Sequence, residues 1–365
     1  MNTRLTGPVR VVGTGLLGTS IGLDLVARGI DVILDDASPA QLRLAIDYGA
    51  GRVATPGDCP QLVVVCVPPD VTARVTAAEL AEFPSATVTD VASVKAQPLA
   101  ELSAHAGPTV DLTRYVGGHP LAGRERGGAV SGRADLFFGR PWVITRHPTS
   151  NDSSVRLVED LVLDLGAVPV EMSAAQHDDA VALVSHVPQL VASLLATRLG
   201  GAPEASVSLA GQGLRDTTRI ASSAPDLWVQ ILSANARPVA GLLKSLRDDL
   251  DGVIEALEAP DAVGSRRRIA DAIAKGNAGV ARIPGKHGED RRFAQITVLV
   301  DDTPGELARL LTEIGEMGVN MEDLRLEHSP GAQVGLAEIS VVPDVEPRLV
   351  TDLTARGWRI AEAAR

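Results

Sequence analysis

Val9-Arg10-Val11-Val12-Gly13-Thr14-Gly15-Leu16-Leu17-Gly18 begins as a β-branched run and then spaces its glycines as GxGxxG. A strand that feeds such a loop and opens a helix is the dinucleotide-binding fingerprint. Gly13 permits the tight turn, Gly15 lets the backbone approach a pyrophosphate, and Gly18 lets the helix lie close on its strand. The helix N-terminus adds free N–H groups and a partial positive charge for the phosphates. The next β-branched run, residues 31–34, leads into Asp35 and Asp36, where a carboxylate can accept hydrogen bonds from ribose hydroxyls. Two negative charges there oppose a 2′-phosphate, so NAD is expected over NADP. Leu16, Leu17 and Val67 complete the expected cofactor surface. A glycine-rich turn without a ligand is the alternative, and the coincidence of strand, glycines, helix and acid argues against it.

Outward from this loop, residues 1–172 alternate apolar runs with helical patterns. Strands are expected at 9–12, 31–34, 62–67, 87–89, 115–118, 142–145 and 167–170, and helices near 16–28, 70–82, 94–104 and 153–165. The alternation predicts a Rossmann-type α/β domain with a doubly wound parallel sheet. From 173 to 281 the strand signal disappears and Ala/Leu/Val-rich segments predict an all-helical domain that pairs with a second copy. Residues 282–292 are polar, broken by Pro and Gly, and read as a linker. The tail, 293–365, gives strand 294–300, helix 305–316, strands 320–327 and 334–342, helix 346–356 and strand 358–361. That order is a small α+β (βαββαβ) domain.

Composition narrows the partners. The 365 residues carry 34 Lys and Arg against 46 Asp and Glu, a formal net charge of -12, and no basic stripe that would favour nucleic acid. Aromatic residues are only 2%, so the cores must be aliphatic. Two cysteines, Cys59 and Cys66, make no disulfide framework and point to a reducing, cytoplasmic compartment. No uninterrupted run reaches the roughly 20 apolar residues of a membrane span. No metal-ligand spacing is present.

Three further segments carry chemistry. Thr89-Asp90-Val91-Ala92-Ser93-Val94-Lys95 ends a strand at the crevice where such sheets bind ligands. Ser93 can orient a histidine or touch the nicotinamide amide; it also reads as the N-cap of a helix from Val94. His119, between Gly117-Gly118 and Pro120, is expected at the exposed edge of the sheet, where a neutral imidazole accepts the proton of an alcohol. His177 and His186 lie in the first apolar helix of the second domain. Either could be a satisfied core residue, and His186, before Pro188, could line a cleft. Arg215 and Arg219 stand four apart, which on one helical face suits a grip on carboxylates, or else a surface ion-pair face with Asp216.

Taken together, these residues resemble the prephenate dehydrogenase family over nearly the whole chain. The likeness rests on residues 90–95, on His119-Pro120-Leu121-Ala122-Gly123 followed by Glu125, on Ser185-His186-Val187-Pro188, and on Arg215-Asp216-Thr217-Thr218-Arg219-Ile220-Ala221. Asp302-Thr303-Pro304-Gly305-Glu306-Leu307 makes the tail similar to an ACT domain. The resemblance implies that NAD⁺ takes hydride from the hydroxyl-bearing ring carbon of prephenate while His119 takes the hydroxyl proton. CO₂ leaves as the ring becomes aromatic, and 4-hydroxyphenylpyruvate forms for tyrosine biosynthesis. It further implies that Ser93 orients His119 and the nicotinamide, that Arg219 holds a substrate carboxylate supported by Arg215, and that His186, Gln189 and Glu125 shape the substrate site. An amino-acid effector such as tyrosine is implied near Thr303, Pro304, Gly305 and Asn320.

Three positions depart from the family pattern. Gly118 stands where a Ser often precedes the His, Arg124 replaces a small hydroxyl residue, and Gln189 stands where many members have a second His. Gln189 carries no charge, which leaves open a pyruvyl side chain (prephenate), an alanyl one (arogenate), or the 4-amino analogue. Outside this chemistry, an amino-acid sensor with a dead front half is opposed by intact Ser93, His119 and Arg219. A β-hydroxyacid or 6-phosphogluconate-type dehydrogenase would need a lysine in the helical domain, where Lys244 lies in a charged segment.

Overall fold

The computed structural model describes residues 3–105, 107, 110–122, 128–283, 293–327 and 333–361. Contacts divide the chain into two compact units, Met1–Gly201 with Thr218–Leu246, and Ala202–Thr217 with Arg247–Arg365. This division cuts across the helical domain expected at 173–281.

Among the described residues the first unit holds an eight-stranded sheet: β1 (Val9–Val12), β2 (Val32–Asp35), β3 (Arg52–Val53), β4 (Leu62–Val65), β5 (Thr87–Asp90), β6 (Tyr115–Pro120), β7 (Pro141–Arg146) and β8 (Val168–Met172). Around it run α1 (Leu16–Ala27), α2 (Pro39–Asp47), α3 (Pro69–Glu82), α4 (Ala96–His105) and α5 (Asp152–Asp164). The strand order is β3-β2-β1-β4-β5-β6-β7-β8. β2 and β4 flank β1 in parallel, so the chain switches direction across the sheet at β1/β4 and opens a ligand crevice at their C-terminal ends.

The sheet is covered on both faces, and β4 shows why its sequence is apolar without alternation. Leu62 and Val64 join the core of Val9, Val11, Ile21 and Leu25. Val63 and Val65 join Leu80, Leu102 and Tyr115 on the other face. All four β4 side chains are fully buried, each worth about 1.5–3 kcal/mol.

The sheet is parallel as expected except at one strand pair. β7 runs antiparallel to β6, and β8 is parallel to β7. Between β6 and β7 the described chain has only a 3-10 turn, Ala129–Ser131, so no crossover helix returns it to the starting end; α5 supplies one between β7 and β8. Helix α2, which sequence patterning did not reveal, starts from Pro39 with the Ser38 hydroxyl accepting from the Gln41 N–H.

α6 (Ala174–Val181) starts in a capping box of Ser173 and Gln176 and passes through one π turn, Ala182–His186, into α7 (Val187–Thr197). Pro188 has no N–H for the carbonyl four residues back and its ring crowds that carbonyl; the widened turn accommodates both. The helix therefore does not break at the proline. Within the continuous run Ala174–Gly201 an 18-residue window has a mean hydropathy of 1.6, so by length and composition this helix could cross a membrane, contrary to the expectation from sequence. Its buried residues include His177, Asp178, His186 and Gln189.

Short helices α8 (Glu204–Val207) and α9 (Gln212–Thr218) follow, then α10 (Pro225–Ala234), α11 (Ala236–Glu258) and α12 (Ser265–Val280). The tail of the second unit comprises β9 (Ala294–Asp301), α13 (Glu306–Glu316), β10 (Asp323–Glu327), β11 (Val334–Val341), α14 (Glu346–Ala355) and β12 (Arg359–Ala361). Its sheet, β10-β11-β9-β12, is antiparallel throughout, the split βαβ arrangement. Alternate β9 residues Ile296, Val298 and Val300 pack with Leu310, Ile314, Leu349 and Leu353 in a core of its own.

Candidate active site

The glycine loop at the end of β1 has the conformation its sequence requires. Gly13 is at φ +98, in the left-handed region that favours glycine. A Cβ on Gly15 would meet nothing within 4 Å, so open space lies over the start of α1. Gly15 caps α1 without a side-chain hydrogen bond, which leaves the first-turn N–H groups directed at that space. The Asp36 carboxylate accepts from the Thr14 N–H at 2.6 Å and the Thr14 hydroxyl at 2.8 Å, while its other oxygen accepts from the Ser38 N–H at 2.7 Å. Asp35 instead accepts from the buried Arg10 guanidinium at 2.6 Å, which also grips Glu79 at 2.8 Å. Of the two acids, Asp36 is the one tied to the loop. Arg10 is committed to acids and is no free cation for a 2′-phosphate. Leu16, Leu17 and Val67 are half-buried around the same turn. These residues fit a dinucleotide.

His119 is the fifth residue of β6 and pairs with Val143 of β7, so it lies inside the sheet. It is 9% exposed, which corrects the expectation of an exposed edge position: the strand continues through His119 and Pro120. Because β6 is parallel to β5, β4 and β1, His119 sits at the same end of the sheet as the glycine loop. Its Nδ1 lies 2.8 Å from Nε2 of His177, whose Nδ1 lies 2.8 Å from the Asp178 carboxylate. Burial, and then the neighbouring His177, Lys95 and His186, push its pKa well below the usual histidine value. The imidazole is therefore neutral at physiological pH.

Asp178 also replaces the cap that Ser93 was expected to provide. α4 begins at Ala96, two residues later than expected, and the Lys95 and Ala96 N–H groups donate to Asp178 at 2.8 and 2.9 Å. Ser93 is left half-buried in the preceding turn, and its hydroxyl has no hydrogen-bond partner among the described residues. Burial opposes ionisation of Asp178, but His177 and the two N–H groups outweigh it and hold its pKa below the ordinary carboxylate value.

Beneath His119, the fully buried Lys95 ammonium pairs with Asp90 and donates to the Gly118 carbonyl. The Tyr115 hydroxyl donates to the other Asp90 oxygen at 2.7 Å. Gly118 is required here: a Cβ would lie 2.6 Å from the Asp90 carbonyl oxygen, so the Ser of the family pattern would not fit this backbone.

His186 is 1% exposed, the core position of the two alternatives its sequence left open. Its Nδ1 accepts from the Asn235 amide at 3.1 Å, and the same amide donates to the Asp178 carbonyl at 2.7 Å. Its ring meets Trp228 edge-on at 6.0 Å. Burial is the main cause of a pKa pushed down to about 4. Gln189 is buried on α7, with Ser193 and Ser223 at 3.4 and 3.3 Å.

Arg219 is exposed in a 3-10 turn, Arg219–Ala221, packed beside α7. It has no ion pair among the described residues. Arg215 is exposed on α9, in the second unit. The expectation that both arginines share a face of one helix is corrected, because α9 ends at Thr218. Glu125 lies outside the described residues. Thr303, Pro304 and Gly305 form the exposed turn into α13, with Gly305 at φ +97, and the Asn320 amide donates to Glu322 at 3.2 Å.

The sequence reading named His119 and the loop as candidates. It read His177 only as a histidine that could be a satisfied core residue and did not single out Asp178, Asn235 or Trp228. The His177-Asp178 adjacency was a usable signal; nothing local marks Asn235.

Known proteins are similar to this chain over most of its length. The model described as prephenate dehydrogenase, nucleotide-binding domain, matches residues 21–171, and that described as prephenate dehydrogenase, dimerization domain, matches 173–267. The chain is 36% identical over 356 residues to the probable prephenate dehydrogenase NovF of Streptomyces niveus, covering 95% of this chain and 98% of that one. It is 27% identical to the prephenate dehydrogenase of Bacillus subtilis, covering 92% of each. Among solved structures it is similar to Aquifex aeolicus prephenate dehydrogenase in complex with hydroxyphenyl propionate and NAD⁺, at 25% identity and TM-score 0.65 over 76% of this chain and 99% of that one. Synechocystis arogenate dehydrogenase aligns at 26% identity and TM-score 0.60, covering 74% and 99%.

Proposed function

The chain belongs to the prephenate dehydrogenase family, and we propose that it converts prephenate to 4-hydroxyphenylpyruvate for tyrosine biosynthesis. It is an NAD-dependent oxidoreductase with a Rossmann-like front half and a helical dimerization domain. The observation that carries the substrate reading is a buried, neutral His119 at the end of the sheet that bears the glycine loop.

Gly13, Gly15, Gly18 and the first turn of α1 hold the cofactor, with Asp36 at the ribose and Leu16, Leu17 and Val67 against its apolar parts. When bound, NAD⁺ supplies the acceptor for the hydride leaving the hydroxyl-bearing ring carbon. His119 takes the hydroxyl proton as that carbon becomes a carbonyl. Loss of CO₂ across the ring then leaves a phenolate oxygen, and the proton held by His119 is the one that oxygen needs. Aromatisation drives the reaction, so the protein's task is positioning and charge stabilisation. The unpartnered Ser93 hydroxyl is suited to orient His119 and the nicotinamide. Arg219 holds a substrate carboxylate, and Gln189 and Glu125 shape the remainder.

Uncharged Gln189 favours a second reading, an alanyl side chain as in arogenate, or the 4-amino analogue. NADH formation from prephenate and from arogenate, each with NAD⁺ and NADP⁺, tests both. Prephenate with NAD⁺ should turn over fastest; preference for arogenate reassigns the substrate and keeps His119.

We divide the chain into 1–172, 173–281, a linker at 282–292 and an ACT-like domain at 293–365, supported by the split βαβ sheet of the tail. A homodimer is supported by exposed Leu183, Val184, Leu194 and Val229 in the helical region. The ACT-like turn at Thr303, Pro304 and Gly305, with Asn320, is the proposed seat of tyrosine feedback, and the compartment is the cytoplasm. Titration calorimetry without a tyrosine, phenylalanine or tryptophan signal would remove the effector.

A further inference from the structure

We propose that His177 is a positioning residue that sets the tautomer of His119, so that Nδ1 carries the proton and Nε2 is left free to take the substrate proton. The inference follows from three bonded groups read in order, and it rests on the reading of His119 as the base. Asp178 is buried and ionised, and can only accept. Its oxygen is 2.8 Å from Nδ1 of His177, so that nitrogen is the donor. A neutral His177 then has its lone pair on Nε2, 2.8 Å from Nδ1 of His119. That contact is a hydrogen bond only if His119 Nδ1 bears the proton. His119 Nε2 is consequently the basic nitrogen.

Asp178 is itself fixed. It caps α4 through the Lys95 and Ala96 N–H groups, and its backbone carbonyl accepts from Asn235. The two rings meet edge to face, 5.0 Å between centroids and 73° between planes, so rotation of either breaks the contact. When His119 takes the substrate proton it becomes a cation whose Nδ1–H already points along a chain ending in a carboxylate. The groups facing the pair are Lys95 before α4, His186 on the π turn, and Asp178 on α6, with Asp90 of β5 behind Lys95. Burial and the Lys95 ammonium disfavour the charged form of His119, and Asp178 is the group that offsets them once the proton arrives.

The test uses the full chain with ¹⁵N-labelled histidine rings, with the His119 signals assigned by their absence in His119→Asn. Wild-type protein is expected to show the His119 proton on Nδ1 and none on Nε2 above pH 7. In His177→Asn the amide still donates to Asp178 but does not reach His119, so the Nδ1–H signal should be lost. Its kcat with prephenate should fall about 10²-fold or more, the scale on which orienting partners of a catalytic histidine act, with KM within about threefold. His177→Gln presents an amide oxygen at the Nε2 position; it should restore the Nδ1–H signal and recover at least about tenfold of the lost kcat. A wild-type His119 protonated on Nε2, or a His177→Asn variant with wild-type kcat and pH profile, would overturn the proposal. Wild-type protein with the expected tautomer but no prephenate turnover would sink the substrate reading and leave the positioning role standing.

Discussion

The Lys95 ammonium donates to the backbone carbonyl of Gly118 at 2.6 Å, which fixes the strand residue immediately before His119. The same ammonium neutralises Asp90, buried at the end of the neighbouring strand. Burial lowers the Lys95 pKa, and Asp90 opposes that shift. One buried charge pair thus holds β5, β6 and the strand end that carries His119 together.

Lys95→Met should destabilise the protein by about 3–5 kcal/mol, because it leaves Asp90 charged in a dry site. Lys95→Met with Asp90→Asn should recover part of that loss, since the unpaired charge is gone. Chemical denaturation of the three proteins checks this; a double variant weaker than the single one would refute it.

His119→Asn should lower kcat by about 10²–10⁴, the scale of a lost general base, while NAD⁺ affinity stays nearly unchanged. Turnover and NAD⁺ fluorescence titration separate the two. Wild-type turnover would end the assignment.

Acidification should weaken the fold from pH 6.5 downward. His119 and His186 have depressed folded-state pKa values, the latter about 4. As pH falls, the unfolded chain takes up these protons near 6.5 while the folded state resists. Stability is therefore intact above 6.5 and is lost as pH drops toward 4. The acid limb of kcat/KM should likewise lie below pH 6.5. Denaturation free energies that are equal at pH 7.5 and 5 would contradict this.

Asp36→Ala should raise the KM for NAD⁺ about tenfold or more, since the loop loses charge-assisted hydrogen bonds worth about 1.5–3 kcal/mol each. The NADP⁺ to NAD⁺ ratio of kcat/KM should rise with the removed charge. Steady-state kinetics with both cofactors decides it, and an unchanged ratio would move cofactor discrimination elsewhere.

Much of the architecture was legible because it depends on short-range pattern. The run 62–67 had to be a doubly covered strand, and β9 through β12 follow their alternating residues closely. The antiparallel turn of β7 was not legible, because direction depends on what connects two strands and not on their composition. Helix α2 escaped because its apolar pattern is weak and its start depends on Ser38 and Pro39. The site divides similarly. The 13–18 loop and His119 are marked by glycines that only a tight backbone needs. Ser93 looked like a cap because the true one, Asp178, is 82 residues from Ala96 in sequence.

The sequence alone determined the glycine loop, the strand-and-helix alternation and the choice of His119 as the proposed base, since each is written in residues a few positions apart. Tertiary structure alone decided that His119 is buried and neutral, that Asp36 rather than Asp35 serves the loop, and that His177 and Asp178 stand behind the base. Those are consequences of burial and of contacts between distant segments. Solvent exclusion and the direction of a hydrogen bond exist only once the chain has folded.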